Sequence, residues 1–256
     1  MTKQEAFRLI GEIDGRYVES AEDCAPRKWK NRKRNMRMLA AAAACLVLAA
    51  GILAGVMRYD RAARQIPLDR SSDGVTARYV ERLSPAVSSG EHSLIGLSED
   101  EIFTHWNTAI FRGTVTDVRN IVIDFAGQKM YRAIARVRVS SVVRGPFSEG
   151  DEAPVLLPYT VGGGSTAEDC GTIESIRVGM EGIFMPIVYD DENNFVEMNG
   201  VRLDKRDLAP CGLADGLRWA FLETSNRLIY DESSFPSLAG ATSLDEVEAF
   251  LWKKAG

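Results

Sequence analysis

Met38 to Met57 is a run of 20 residues without one charged side chain, bounded on both sides by segments crowded with charge. At 1.5 Å rise per residue, a helix of that length spans roughly 30 Å, the thickness of a bilayer's hydrocarbon core. A helix on the surface of a soluble protein keeps a polar stripe, and this run has none. The pattern therefore predicts a transmembrane helix over 38–57. Arg27, Lys28, Lys30, Arg32, Lys33, Arg34 and Arg37 directly precede it. This heavier basic cluster predicts a cytoplasmic N-terminus and an extracytoplasmic C-terminal portion. A cleaved export signal has an apolar core of about 7 to 15 residues behind a short basic region. The longer run and the polar segment ahead of it favour an uncleaved, single-pass anchor in the cell membrane.

Other periods occupy the rest of the chain. In the tail, 1–37, Thr2 and Glu5 form a capping box, after which Phe7, Ile10, Ile13, Tyr17 and Val18 recur at three- and four-residue spacings. That stripe predicts a short amphipathic helix able to dock on a partner, weakened by Gly11 and Gly15 at about 1 kcal/mol each. Residues 58–96 have the composition of a stalk, with a short helix expected at Val75 to Leu83. Ser98 and Glu101 then form a second capping box, and Ile102, Phe103 and Trp106 supply apolar anchors for a helix leading into a domain over 97–256.

Within that domain the dominant period is two. "IFRGTVTDVRNIVID" is rich in β-branched residues, and in "YRAIARVRVSSVVRG" Tyr131, Ala133, Ala135, Val137 and Val139 alternate with Arg132, Ile134, Arg136 and Arg138. Such alternation predicts a hairpin with one buried and one largely wet face, joined through Phe125 to Lys129. "APVLLPY" reads as a third strand, and "GIFMPIVYD" and "FVEMNG" as a second hairpin about the turn "DDENN". Helical spacing returns in "GLADGLRWAFLETSNRLIY" and in "SLDEVEAFLWKK", which opens with Ser243 and Glu246. The expected fold is mainly β with some α: a small OB-like barrel covered by two C-terminal helices, a two-sheet sandwich being the alternative.

Charge sharpens the two-sided layout. The net charge of −5 divides into +4 over 1–37 (ten Lys/Arg, six Asp/Glu) and −9 over the remainder (21 and 30). A basic inner segment suits anionic lipid headgroups, and the acidic outer portion offers no broad footprint for nucleic acid. Under this topology Cys24 lies inside, Cys45 in the membrane, and Cys170 and Cys211 outside. The last two are candidates for a disulfide that would stabilise by roughly 3 to 4 kcal/mol, against two free thiols.

The sequence points away from catalysis. His92 and His105 are the only two histidines, and no H-E-x-x-H, C-x-x-C or G-x-S-x-G occurs. No catalytic residue, cofactor or metal is expected. "VGGGS" at Val161 to Ser165 lacks the Lys of a phosphate loop, and Asp190 to Asn194 lacks the alternating ligands of a calcium loop. Arg132, Arg136 and Arg138 are candidates for binding an anionic polymer, though a solvated strand face is the simpler reading.

"IGEIDGRYVESA", "RKWKNRKR" abutting "MLAAAAACLVLAA", and "LSEDEIF" together resemble single-pass, anti-sigma-factor-like membrane proteins of clostridial-type bacteria. The segment "IFRGTVTDV … YRAIARVRVSSVVRG … GDEAPVLLP … VGMEGIFMP" resembles the strand order of netrin-like, OB-type barrels, the fold of the tissue inhibitors of metalloproteinases. These resemblances imply a non-enzymatic sensor or binding protein. Its outer β domain would meet an extracytoplasmic ligand, and its inner helix would report to a cytoplasmic regulator such as a sigma factor. An outward-facing structural or adhesion module of the envelope is the alternative.

Overall fold

The computed structural model describes residues 64–81, 96–162, 171–225 and 227–255. The chain divides into two units, 1–60 and 61–256, and the described residues all belong to the second. The anchor at 38–57, the tail stripe from Phe7 to Val18, the basic cluster from Arg27 to Arg37, His92 and Cys170 lie outside the described residues. Among the described residues no helix is long and apolar enough to cross a membrane.

The long early hairpin forms as its alternation requires. Strands β3 (Ile110–Phe125) and β4 (Gln128–Arg144) pair antiparallel along their whole length. They are joined by Ala126 and Gly127, with φ of 50° and 102°. Two successive positive φ values make a type I′ turn, whose twist matches that of the flanking strands. Asp124 closes it by accepting the Gly127 N–H at 2.6 Å. Register shifts at Ile110/Phe111, Arg112/Gly113 and Val115/Asp117 bend β3, and the sheet curls into a half-barrel about them.

Gly113 sits at one of these bends. A Cβ there would lie 2.4 Å from the carbonyl oxygen of Arg138, a backbone atom that cannot swing aside. Gly113→Ala is expected to destabilise the domain by about 1–3 kcal/mol through overpacking, measured as a lower denaturant midpoint with an unchanged slope.

The remaining strands extend the sheet on both sides. β6 (Glu181–Phe184) pairs with the start of β3 and β2 (Val75–Val80) with its end, while β5 (Glu152–Leu157) pairs with β4. β10 (Cys211–Gly212) runs parallel to β5 and antiparallel to β7 (Ile187–Val188). From β7 the sheet returns to the lead-in of β3: Val188 N–H donates to Asn107 O and Ala109 N–H to Pro186 O, both at 2.8 Å. Beyond β6 lie β11 (Ala220–Glu223) and β12 (Leu228–Ile229), and β1 (Gln65–Ile66) pairs with β2.

Three expectations are corrected here. Val75 to Leu83 was expected to open a helix in the stalk; Val75–Val80 is instead a strand of the sheet, its β-branched and aromatic residues paired to β3. Of the two expected C-terminal helices the described residues form only the second, α3 (Leu244–Ala255), which follows α1 (Glu99–Thr104) and the single-turn α2 (Gly171–Glu174) in the chain. The "GLADGLRWAFLETSNRLIY" segment is a turn followed by β11 and β12, because Trp219 to Leu222 is buried continuously rather than on one stripe. Finally, "DDENN" is not the turn of the second hairpin. β8 (Phe195–Met198) pairs with β9 (Val201–Asp204) across Asn199-Gly200, both with positive φ.

The main core is capped by α1 (Glu99–Thr104) and α3. Phe103 meets Phe235 and Phe250 edge-on at 6.2 and 6.1 Å, and Phe221 lies 4.9 Å from Phe235. The predicted Ser98–Glu101 capping box is present, and Lys254 of α3 bonds Asp100 of α1 at 2.6 Å. Arg112 ties α3 to the sheet through Asp245, Glu248 and Glu181.

A second, smaller cluster lies on the other face of the sheet. Ile121, Ile123, Phe125, Ile134 and Leu156 are buried there with Leu203, Leu208 and Ala209. The face expected to be wet is therefore wet only in part. Arg136 and Arg138 are exposed, whereas Ile134 is buried and Arg132 partly so.

Candidate functional site

A cavity of about 300 Å³ opens into this second cluster, lined by residues of β4, β5, the segment after β7 and the β8–β9 hairpin. Met130 and Arg132 reach it from β4, Leu156 from β5, Tyr189 from the end of β7, and Val196, Leu203 and Lys205 from the hairpin and the 3₁₀ turn Lys205–Asp207. Period two explains the first set: Met130, Arg132 and Ile134 alternate along one strand and share a face. The hairpin is held down by its own polar ties. Asp204, 2 % exposed on its side chain, pairs with Arg206 at 2.8 Å and accepts from Asn194 at 2.9 Å. Asp207 takes the backbone N–H groups of Arg70 and Ser71, fastening the 3₁₀ turn to the β1–β2 loop.

Gly212 shapes the wall. A Cβ there would fall 2.0 Å from the Tyr189 hydroxyl oxygen and 2.8 Å from Leu156 O. The missing side chain is what lets the tyrosine lie flat against β10. Lys205 Nζ stands 4.2 Å from the centre of the Tyr189 ring, a cation–π contact.

The cations of this cavity differ from the chain's other paired arginines. Arg112 has three carboxylates, Arg206 has Asp204 and Asp191, Arg119 has Asp117, and Arg136 and Arg138 share Glu152. Arg144 donates to Thr108 O, Phe103 O and the Thr108 hydroxyl, with no carboxylate partner among the described residues. Arg132 donates to Tyr131 O at 2.9 Å, and neither it nor Lys205 has a carboxylate within 4.0 Å among the described residues. Burial pulls the pKa of both below the ordinary value, opposed for Lys205 by Asp190 and Asp204 and for Arg132 by Tyr159 and Tyr189. Burial likewise raises the Tyr189 phenol, with Cys211 adding to the rise and Arg132 opposing it.

Lys205 gives a pH signature. A lysine whose folded pKa is lowered binds fewer protons in the native than in the unfolded state, so it adds stability as pH rises through that window. Lys205→Met is expected to be more stable than the wild type near neutrality, with the difference shrinking as pH climbs toward the ordinary lysine value of 10.5. Denaturant titrations of both proteins across that range measure it.

The other candidates take up structural places. Cys211 is fully buried in β10, its Sγ 3.5 Å from Pro154 O, and burial pushes the thiol up to about 12. His105 caps the end of α1 and packs edge-on against Trp106 at 4.4 Å, which in turn meets Trp219 at 5.4 Å. Val161 is clasped by the Asn120 amide, which accepts from its N–H and donates to its carbonyl, both at 2.8 Å; Gly163 to Ser165 lie outside the described residues. Asp190 turns the chain by accepting the N–H groups of Glu192 and Asn193.

The three strand arginines do not act together: Arg136 and Arg138 belong to the surface and Arg132 to the cavity. Tyr189 and Lys205 were missed in the sequence. The signal that could have found the site was Ile134 between arginines, together with Ile121 and Ile123 on the facing strand. These mark that stretch of the "wet" face as covered.

Compared with models of protein families, with curated proteins and with solved structures, the chain has no match.

Proposed function

We propose that the chain is a non-enzymatic, membrane-anchored binding protein whose extracytoplasmic domain takes a small ligand in the cavity beneath the β8–β9 hairpin. The single observation that carries this reading is the cavity itself: a half-open hollow lined mostly by apolar side chains, with a few convergent polar groups. The domain is read as an OB-like barrel. The circuit β3-β4-β5-β10-β7 and back to the lead-in of β3, with one parallel contact, supports that reading. By analogy, OB-type barrels bind on the face of their second and third strands and the neighbouring loops, which here corresponds to β4, β5 and the segment carrying the hairpin.

The uncharged run 38–57 and the basic cluster before it support a single-pass anchor with the domain outside the cytoplasm, and the spacing of Phe7, Ile10, Ile13, Tyr17 and Val18 supports an inner helix that docks on a regulator such as a sigma factor. Native mass spectrometry of the full chain, extracted from bacterial membranes, tests the binding half. A small-molecule adduct is expected on the wild type and absent from Leu203→Trp, which fills the cavity. Identical mass profiles for a folded variant would remove the cavity as the binding site. Thiol labelling tests the topology: Cys24 should react with an impermeant reagent only in opened cells, and reaction in intact cells would reverse it.

A further inference from the structure

We propose that the ligand is a small amphiphilic oxyanion, its carboxylate or phosphate held by Arg132 and Lys205 and its short apolar body lying against Met130, Leu156, Val196 and Leu203. The inference rests on the cavity reading and adds the ligand's chemistry. Two cations of different elements, one on β4 and one after β9, line the same small space. In a chain with 36 acidic and 31 basic residues, acids are not scarce. The surrounding acids take their hydrogen bonds elsewhere: Asp204 from Arg206 and Asn194, Asp207 from the β1–β2 loop, and Asp190 from its own turn, so that Asp190 and Asp204 reach Lys205 only as nearby charges beyond 4.0 Å. A cation taken partly out of water needs an anion or several oxygen acceptors. Arg132 has one backbone carbonyl, and Lys205 has the face of an aromatic ring.

The guanidinium fork offers parallel N–H groups that fit two oxygens of one head, while the lysine supplies a point charge beside them. The rest of the lining sets the other half of the ligand. Ile123, Met130, Leu156, Val196 and Leu203 cannot repay the burial of a polar body, so a sugar or a polyanion fits poorly. About 300 Å³ is the small end of ligand cavities, which limits the apolar part to a short chain or a single ring.

The test is calorimetric titration of the full chain in phosphatidylcholine nanodiscs, against empty discs, with hexanoate, hexyl phosphate, 1-hexanol and hexylammonium. At least one of the two anions is expected to bind about tenfold or more tightly than hexanol, as charge-assisted hydrogen bonds imply, and hexylammonium not at all. The better anion identifies the head. Arg132→Met and Lys205→Met should each erase that preference, while Arg132→Lys retains part of it and controls for folding. Equal binding of hexanol and both anions, unchanged in Arg132→Met, would overturn the oxyanion while leaving the cavity as a site. Failure of every hexyl probe, or binding that survives in folded Leu203→Trp, would overturn the cavity reading as well.

Discussion

Asp215→Ala is expected to lower the domain's stability by about 3–5 kcal/mol, the usual consequence of removing one partner of a buried ion pair. The Asp215 and Arg218 side chains are only 9 % and 7 % exposed and are joined at 2.7 Å. The same carboxylate accepts the N–H groups of Leu217 and Arg218, both at 3.0 Å, and the indole N–H of fully buried Trp219 at 2.7 Å. One side chain thus shapes the turn, answers a guanidinium and satisfies the largest buried aromatic just before β11. Asp215→Asn keeps acceptors for part of this set and should lose less. Urea unfolding followed by Trp fluorescence reads both variants. A loss below 1 kcal/mol for the alanine variant would show that the turn is held by its neighbours instead.

Arg132→Met is expected to act in the opposite direction on stability. The arginine has no carboxylate within 4.0 Å among the described residues, and an apolar side chain of similar length suits the lining of Met130, Leu156 and Leu203 better. A gain of about 1–3 kcal/mol follows, by comparison with buried ionic groups replaced by hydrophobic ones. For a domain of this size that raises Tm by roughly 2–4 °C per kcal/mol. The same variant should lose its preference for an anion. A residue that costs stability and supplies binding is the pattern of a functional position. If Arg132→Met instead destabilises, the guanidinium is a structural tie and the cavity has no need of an anion.

The parts of the fold legible in the sequence are those where a local period decides the outcome. β4 follows from alternation, β3 from its β-branched residues and β5 from the short apolar run "APVLLPY", and α1 and α3 from capping boxes and helical spacing. The misread parts are those where tertiary contacts decide. Leu213, Leu217, Phe221 and Leu228 fall at helical spacing and predict a helix, yet continuous burial from Trp219 to Leu222 makes Ala220–Glu223 a strand. Val75–Val80 is too short and mixed to reveal its partner, yet it gains a full ladder from β3. Asn199-Gly200 is a readable turn signal, and the acidic run before it is a competing one of more conspicuous composition. The site itself was half legible. Arg132 stood out as one of three arginines, but only the covering hairpin separates it from Arg136 and Arg138, and Lys205 reaches it from 73 positions further along the chain.

The side-chain Nε–H resonance of Arg132, assigned by its loss in Arg132→Lys, reports most directly on whether this cavity holds an anion. Titrating the full chain with hexanoate and with hexyl phosphate should move that resonance along a saturating curve for the anion that binds. The curve should share its midpoint with the calorimetric one, while the resonances of Arg136 and Arg138, paired with Glu152, stay in place. An Arg132 resonance unmoved by either anion up to saturation of calorimetric binding, or one that moves no more than those of Arg136 and Arg138, would contradict the assignment of the cavity to an anionic ligand.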